Sequence, residues 1–239
     1  MVALFVFAAG ALAGTPADAG TFQVSPVRIE LGSGAPSGAL TVRNDGPDSV
    51  VVQMSVLKWT QAANADRYEP TTEALVTPPI ATIPPGAEQL VRVGLRRAPD
   101  PRQEIAYRLY VQEVPPPPQP GFSGLQMALR IGVPVFVAPL LPAERSLAWK
   151  VRLGDDGSLV VSATNAGTAN AQVQSVAARA VEGPRAWTPD HALTYVLAGS
   201  ERSWRLAPEG GSPAPPPARV VVKALTDAGD VEVSVAIAR

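Results

Sequence analysis

Apolar and polar residues alternate along much of this chain with a period of two, most plainly in residues 125–137. There the odd positions Leu125, Met127, Leu129, Ile131, Val133, Val135 and Val137 are all apolar, while the even ones hold Gln126, Ala128, Arg130, Gly132, Pro134 and Phe136. Successive side chains of a strand point to opposite faces, so the pattern predicts one long strand with a continuous apolar stripe. Shorter alternating or β-branched runs occupy 22–31, 38–43, 49–59, 88–96 and 105–114 before it. Others follow at 148–153, 158–164, 171–180, 192–197, 201–206, 220–226 and 231–237. Helical spacing is not sustained over ten residues anywhere. The 26 prolines and 20 glycines punctuate these runs, and short strands separated this often predict an all-β sandwich architecture.

An internal repeat suggests two such units. Asn44, Gly46 and Gln53 recur as Asn165, Gly167 and Gln174, each 121 positions later, between two alternating runs. Asn tolerates a left-handed backbone and Gly supplies positive φ, so each Asn-x-Gly reads as a structural turn. The expected division is a leader at 1–19, a first domain at 20–140 that ends with the long strand, and a second domain at 141–239. The leader, MVALFVFAAGALAGTPADA, is an apolar run followed by small residues and an Ala17-x-Ala19 step, the form of a cleaved secretory signal. Its apolar run is shorter than the roughly 20 residues that cross a bilayer, so export without membrane insertion is expected, with a periplasm as destination.

Composition narrows the chemistry. Cysteine is absent and His191 is the only histidine, which removes disulfides, thiolate nucleophiles, zinc–thiolate sites and multi-histidine metal sites. No nucleophile elbow or phosphate-binding loop is present, so neither an enzyme nor a bound cofactor is expected. His191 follows Asp190 in a turn-like segment, and Asp155-Asp156 precedes Gly157 as a hairpin would. The 20 basic and 21 acidic residues are interleaved, without the basic stripe of a nucleic-acid binder.

Pro134 gives the long stripe its interest. Proline cannot donate to a ladder and is confined to edge strands and bulges. An edge strand carrying a long apolar stripe invites aggregation or self-association unless a partner covers it. The preceding segment at 115–124, PPPPQPGFSG, reads as a stiff surface loop.

At this point the residues resemble the periplasmic chaperones of the chaperone-usher pilus pathway. The likeness is carried by Ser25-Pro-Val-Arg28-Ile, Asn44-Asp-Gly, Pro78-Pro79-Ile, Ile83-Pro-Pro-Gly86 with Gln89, and Val91-Arg92-Val. It continues through Glu104-x-x-Tyr107-Arg, Glu113-Val-Pro115, Leu125-Gln-Met-Ala-Leu and Pro134-Val-Phe136-x-x-Pro139, in that order and spacing. Trp59-x-Gln61, Tyr68-x-Pro70 and Tyr107-Arg108 look closer to the archaic branch of that family than to its type 1 and P-pilus branch. The resemblance implies two immunoglobulin-like domains in a boomerang arrangement. It also implies pilin subunits and an outer-membrane usher as partners, and subunit capture by donor-strand complementation. An exported immunoglobulin-like structural or adhesion module is the competing reading, and it has no use for the apolar edge.

The same resemblance assigns residues. The donor strand would use Leu125, Met127, Leu129, Ile131 and Val133. A cleft arginine that anchors the subunit's terminal carboxylate maps to Arg28. The family's second anchor, a lysine, maps to Pro134, which leaves Arg130 or Arg108 to replace it. Arg130 would be some 13 Å along the strand from that position at about 3.3 Å per residue. An interdomain charge cluster maps to Glu104, Ala138 and Asp227, so both acids are present without the cation between them. Unpaired buried carboxylates are costly, and Arg92 or Arg108 is expected to compensate unless the acids are solvated.

Overall fold

A computed structural model of the chain describes residues 22–117, 127–210 and 217–238. The expected leader at 1–19 and Leu125 of the stripe lie outside them. The described residues of the first half form β1 (Phe22–Ser25), β2 (Ile29–Leu31), β3 (Ser37–Asn44), β4 (Val50–Ala62), β5 (Ala65–Pro70), β6 (Ala74–Thr77), β7 (Ile80–Ile83), β8 (Glu88–Leu95), β9 (Ile105–Glu113) and β10 (Arg130–Val137). Those of the second half form β11 (Leu147–Leu153), β12 (Leu159–Asn165), β13 (Ala171–Ala180), β14 (Ala186–Asp190), β15 (Thr194–Val196), β16 (Glu201–Leu206), β17 (Arg219–Thr226) and β18 (Gly229–Ala238).

In the first half a sheet ordered β1-β3-β8-β6 packs on one ordered β2-β10-β9-β4-β5, with β7 also paired to β4. Alternation explains the packing. Val91 and Val93 of β8, Leu40 and Val42 of β3, and Tyr107, Leu109 and Val111 of β9 all turn inward to one core. In the second half the order is β14-β13-β17-β18-β11-β12-β16, with β15 on β13. The two parts of this sheet are joined by the short pairing Val151↔Ile237 and Arg152↔Ala238 and, at the other end, by a bridge from Trp187 of β14 to Pro208 after β16, and between them they enclose a second core around Trp187, Trp204, Leu159, Val173 and Val222. The architecture is two immunoglobulin-like β-sandwich domains.

The repeated Asn-x-Gly turns share one bonding scheme. Asn44 Oδ1 accepts from the Gly46 N–H at 2.9 Å, and its Nδ2 donates to the carbonyls of Asp48 and Ile83. Asn165 Oδ1 accepts from the Gly167 N–H at 2.9 Å, and its Nδ2 donates to those of Ala169 and Val196. Each buried carboxamide thus ties its turn to a distant strand or loop end, which a side chain lacking either function cannot do.

Three departures from the sequence reading have physical causes. The run at 22–31 is two strands, because Pro26 offers no N–H and the chain crosses there from one sheet to the other. The polar strand β5, ADRYEP, carries no apolar stripe and is held by pairing with β4 from Leu57↔Pro70 to Ala62↔Ala65. Of the expected long strand at 125–137, the described residues form β10 at Arg130–Val137, preceded by non-strand Met127 to Leu129.

Candidate functional site

The stripe divides at Ile131. Val133, Val135 and Val137 are buried in the first domain's own core, and Ile131 packs half-buried against it. Val133, expected among the residues offered to a partner, is therefore committed inward, opposite Leu109 of β9. Met127 and Leu129 are 64% and 37% exposed. The sheet offers them no opposing layer, so the same alternation that builds the core runs on past it into solvent.

Backbone polarity along β10 follows from two hydrogen bonds. Leu129 C=O accepts from the Glu113 N–H of β9, and the Ala138 N–H, just after β10, donates to the Leu31 C=O at the end of β2. With an unbroken register, odd residues of β10 bond to β9 and even ones face the other way. β2 covers that side only at Val135, Phe136 and Val137. Among the described residues no strand pairs with this side of β10 between Arg130 and Pro134, and Pro134 has no N–H to leave unpaired there. The open edge presents the amides of Arg130 and Gly132.

The face of this sheet turned away from the core carries an aromatic cluster. Trp59, Ala106 and Phe136 are buried there with Leu197, and Tyr68 and Tyr195 pack against them. Ring centroids lie 5.9 Å apart for Trp59–Phe136, 5.3 Å for Phe136–Tyr195 and 5.6 Å for Trp59–Tyr195. Leu197 and Tyr195 come from the second half, so the cluster is the floor of the cleft between the domains. Gln61 stitches the cleft through Nε2 to the Tyr195 C=O at 2.8 Å and accepts from the Leu197 N–H at 2.9 Å.

The three arginines singled out from sequence all lie against aromatic rings of this face. The Arg28 guanidinium sits 4.7 Å from the Phe136 centroid and 5.9 Å from that of Tyr195, and it pairs with Glu30 at 2.8 Å. Its Nε is buried without a hydrogen-bond partner. Arg108 lies 4.3 Å from the Trp59 centroid and donates to the Tyr68 hydroxyl and, at 3.4 Å, to the Gly132 carbonyl. Arg130 sits 3.8 Å over Tyr110. Among the described residues neither Arg108 nor Arg130 forms an ion pair. A guanidinium stacked on a ring keeps its in-plane donors free, which suits it to a carboxylate. The aromatic platforms themselves were not assigned from sequence, although Trp59 and Tyr68 stood out as branch markers.

The expected interdomain acids lie at the domain junction. Glu104 Oε1 accepts from the Asn170 N–H at 2.9 Å and from its Nδ2 at 2.8 Å. Burial pushes the Glu104 carboxyl above its usual range, opposed by the Asn170 bonds and by the charges of Arg28 and Arg145. Asp227 accepts from the Gln172 N–H at 3.0 Å and lies 3.7 Å from Arg145 Nε. The cations beside these acids are thus Arg145, joined at Glu104 by Arg28, rather than Arg92 or Arg108. Arg92 is exposed on β8, and Arg108 is stacked on Trp59. Arg145 reaches this place because the linker is bonded to the Asn165 turn: Glu144 C=O accepts from Thr168 and Ala169, and Ser146 C=O from Ala166. Gly167 permits that approach, since a Cβ there would meet the Glu144 carbonyl oxygen at 2.3 Å. His191 lies in the segment after β14, where Asp190 caps the Ala192 N–H. No group of three or more His, Asp or Glu side chains arranged for a metal ion occurs among the described residues.

Comparison with known proteins places the chain in a family and a fold. A curated relative, the chaperone protein FimB/FhaD of Bordetella pertussis, is 26% identical over 133 residues, covering 52% of this chain and 53% of the relative. The chain thus spans about half the length of the curated relative it matches. Among solved structures, the CsuC–CsuE chaperone–tip adhesion subunit pre-assembly complex from archaic chaperone-usher Csu pili of Acinetobacter baumannii matches with TM-score 0.66 and 21% identity. That match covers 92% of this chain and 100% of the other. The Salmonella enterica SafA pilin in complex with the SafB chaperone matches with TM-score 0.61 and 18% identity, over 93% and 99% of the two chains. At these identities the likeness is one of fold. Residues 21–141, half of the chain and all of the sheet that bears the open edge, match the family described as pili and flagellar-assembly chaperone, PapD N-terminal domain, and to that family of chaperones the chain belongs.

Proposed function

We propose that this protein is a periplasmic chaperone that captures pilin subunits by lending them the open edge of β10 and passes them to an outer-membrane usher. A division at about residue 140 gives it a capturing first domain and a second domain that closes the cleft. The observation that carries the reading is the open run Arg130 to Pro134, preceded by the exposed Met127 and Leu129. An incomplete subunit sandwich, short of one strand, exposes both unpaired backbone and apolar core. The β10 edge supplies the ladder through Arg130 and Gly132, while Met127 and Leu129, with Ile131 beside them, fill the groove. Each side chain fully buried there stabilises the complex by about 1.5 to 3 kcal/mol before ordering costs. Leu125 would extend the same stripe.

Arg28, with its free buried Nε, is the first anchor for the subunit's terminal carboxylate, and Arg108 or Arg130 supplies the second in place of the absent lysine. A bidentate guanidinium–carboxylate contact would fix the register of the subunit on the edge. The test is amide hydrogen exchange in the complex with a pilin subunit. Arg130 and Gly132 amides should become protected on binding, and the Val133 amide, already bonded toward β9, should not change. Exchange at Arg130 and Gly132 that is unaltered in a formed complex would rule out this edge.

A further inference from the structure

Resting on that reading, we infer that the tip of the β4–β5 hairpin is a clamp on the second domain, and that Asn64, Asp66 and Arg202 are positioning residues for the capture cleft. β4 and β5 are joined by the two-residue turn Ala63-Asn64 beyond the Ala62↔Ala65 pair. Both turn residues have positive φ, 51° and 61°. Asn adopts this conformation readily, but Ala does so against its preference. The strained turn delivers Asn64 to β16, the outermost strand of the second domain's sheet.

Asn64 Oδ1 accepts from the Ser203 N–H at 2.8 Å, and its Nδ2 donates to the Ser203 C=O at 3.2 Å. One carboxamide therefore takes the place of a neighbouring strand on the free edge of β16. Aspartate could accept there but not donate. Arg202, its side chain 11% exposed, completes the contact by donating to the Asn64 C=O at 2.5 Å and pairing with the Asp66 carboxylate.

Asp66 carries the clamp to the cleft. Its Oδ1 also accepts from Trp59 Nε1 and from Gln61 Nε2, each at 2.9 Å. Trp59 is the ring on which Arg108 is stacked and which touches Phe136 and Tyr195, while Gln61 holds the Tyr195 and Leu197 backbone. One carboxylate thus ties the second domain, the cleft floor and the platform of a cleft arginine together. Releasing it should loosen the angle between the domains and the seat of Arg108 without opening either core.

The test uses the full mature chain with Asn64→Gly, which keeps a turn able to take positive φ but removes the carboxamide, and with Arg202→Ala. Residual dipolar couplings and small-angle scattering read the interdomain orientation, and solvent exchange of the Trp59 indole N–H reads the Asp66 bond. Affinity for the pilin subunit that co-purifies with wild type reads capture. Both variants should keep the unfolding midpoints of the two domains, lose the single orientation, exchange the indole proton faster and bind the subunit about tenfold more weakly, the equivalent of one charge-assisted contact. An unchanged orientation and indole exchange would overturn the clamp. A changed orientation with unchanged capture would overturn the positioning role. If wild type captures no subunit, the chaperone reading fails, while the orientation and indole measurements still decide the clamp.

Discussion

Truncating the apolar stripe of 125–137 residue by residue should separate folding from capture at Ile131. Val133 and Val135 are 1% and 0% exposed in the first core, packed opposite Leu109 and Tyr107. Val→Ala at either position removes two buried methyl groups, each worth about 0.8 kcal/mol in transfer, and leaves a small cavity, so each should cost about 2 to 3 kcal/mol of stability. With a denaturant slope of about 1 to 3 kcal/mol per molar, that is a fall of about 0.7 to 3 M in the urea midpoint of the first domain. Met127, at 64% exposure, and Leu129 touch too little of the fold to matter. Their alanine variants should stay within about 0.5 kcal/mol of wild type. In binding the order reverses. If the subunit groove buries Met127 and Leu129, each truncation forfeits about 1.5 to 3 kcal/mol, which is about a 10- to 150-fold loss of affinity. Urea melts of the first domain and titration of a pilin subunit measure the two quantities on one set of variants. A midpoint for Met127→Ala as low as that for Val133→Ala, or wild-type affinity in both Met127→Ala and Leu129→Ala, would refute the division.

The junction supplies a prediction with a definite sign. Because Glu104 holds its proton more tightly folded than unfolded, its contribution favours the fold at acid pH and is lost as pH rises through the raised value. Glu104→Gln keeps an acceptor for Asn170 and removes the charge, so it should stabilise the junction near pH 7 and flatten the difference from wild type near pH 4. A variant less stable than wild type near pH 7 but equal to it near pH 4 would show that the charge itself is needed. Asn165→Ala should cost about 2 to 3 kcal/mol in the second domain, because it strands the Ala169 and Val196 carbonyls and the Gly167 N–H; a urea midpoint within error of wild type would contradict this. Arg108→Lys keeps the charge but loses the flat stack on Trp59, so subunit affinity should fall severalfold while stability holds. Equal affinity would remove Arg108 from the anchor.

The elements legible in the sequence were those with one buried face. β8, β9, β12, β13 and β17 alternate because one face packs on a core, and the period-two pattern records that packing. β5 was invisible for the opposite reason, since its residues are mostly exposed and its order comes from β4. The two Asn-x-Gly turns were readable because the same small set of residue types solves the same backbone problem twice. The stripe showed as one feature because periodicity does not reveal where an opposing layer ends, and that boundary is what separates Val133 from Leu129. Arg145 is not legible in the sequence because its position depends on linker bonds to the Asn165 turn, which no local pattern encodes. The aromatic floor likewise joins Trp59, Phe136 and Tyr195, residues far apart in sequence that only the docking of two domains brings together.

Capture of an incomplete pilin subunit by the edge of β10 and its exposed apolar lead-in, as proposed, is open to direct test. The most direct measurement is to express the chain in a periplasm with each pilin-like subunit encoded beside it and to purify through a tag on the chaperone. Wild type should recover a one-to-one complex. Leu129→Glu, which places a charge in an apolar groove while sparing the core, should stay folded and recover none. Subunits that remain soluble without this protein and never co-purify with it, or a folded Leu129→Glu variant that binds as wild type does, would contradict the account.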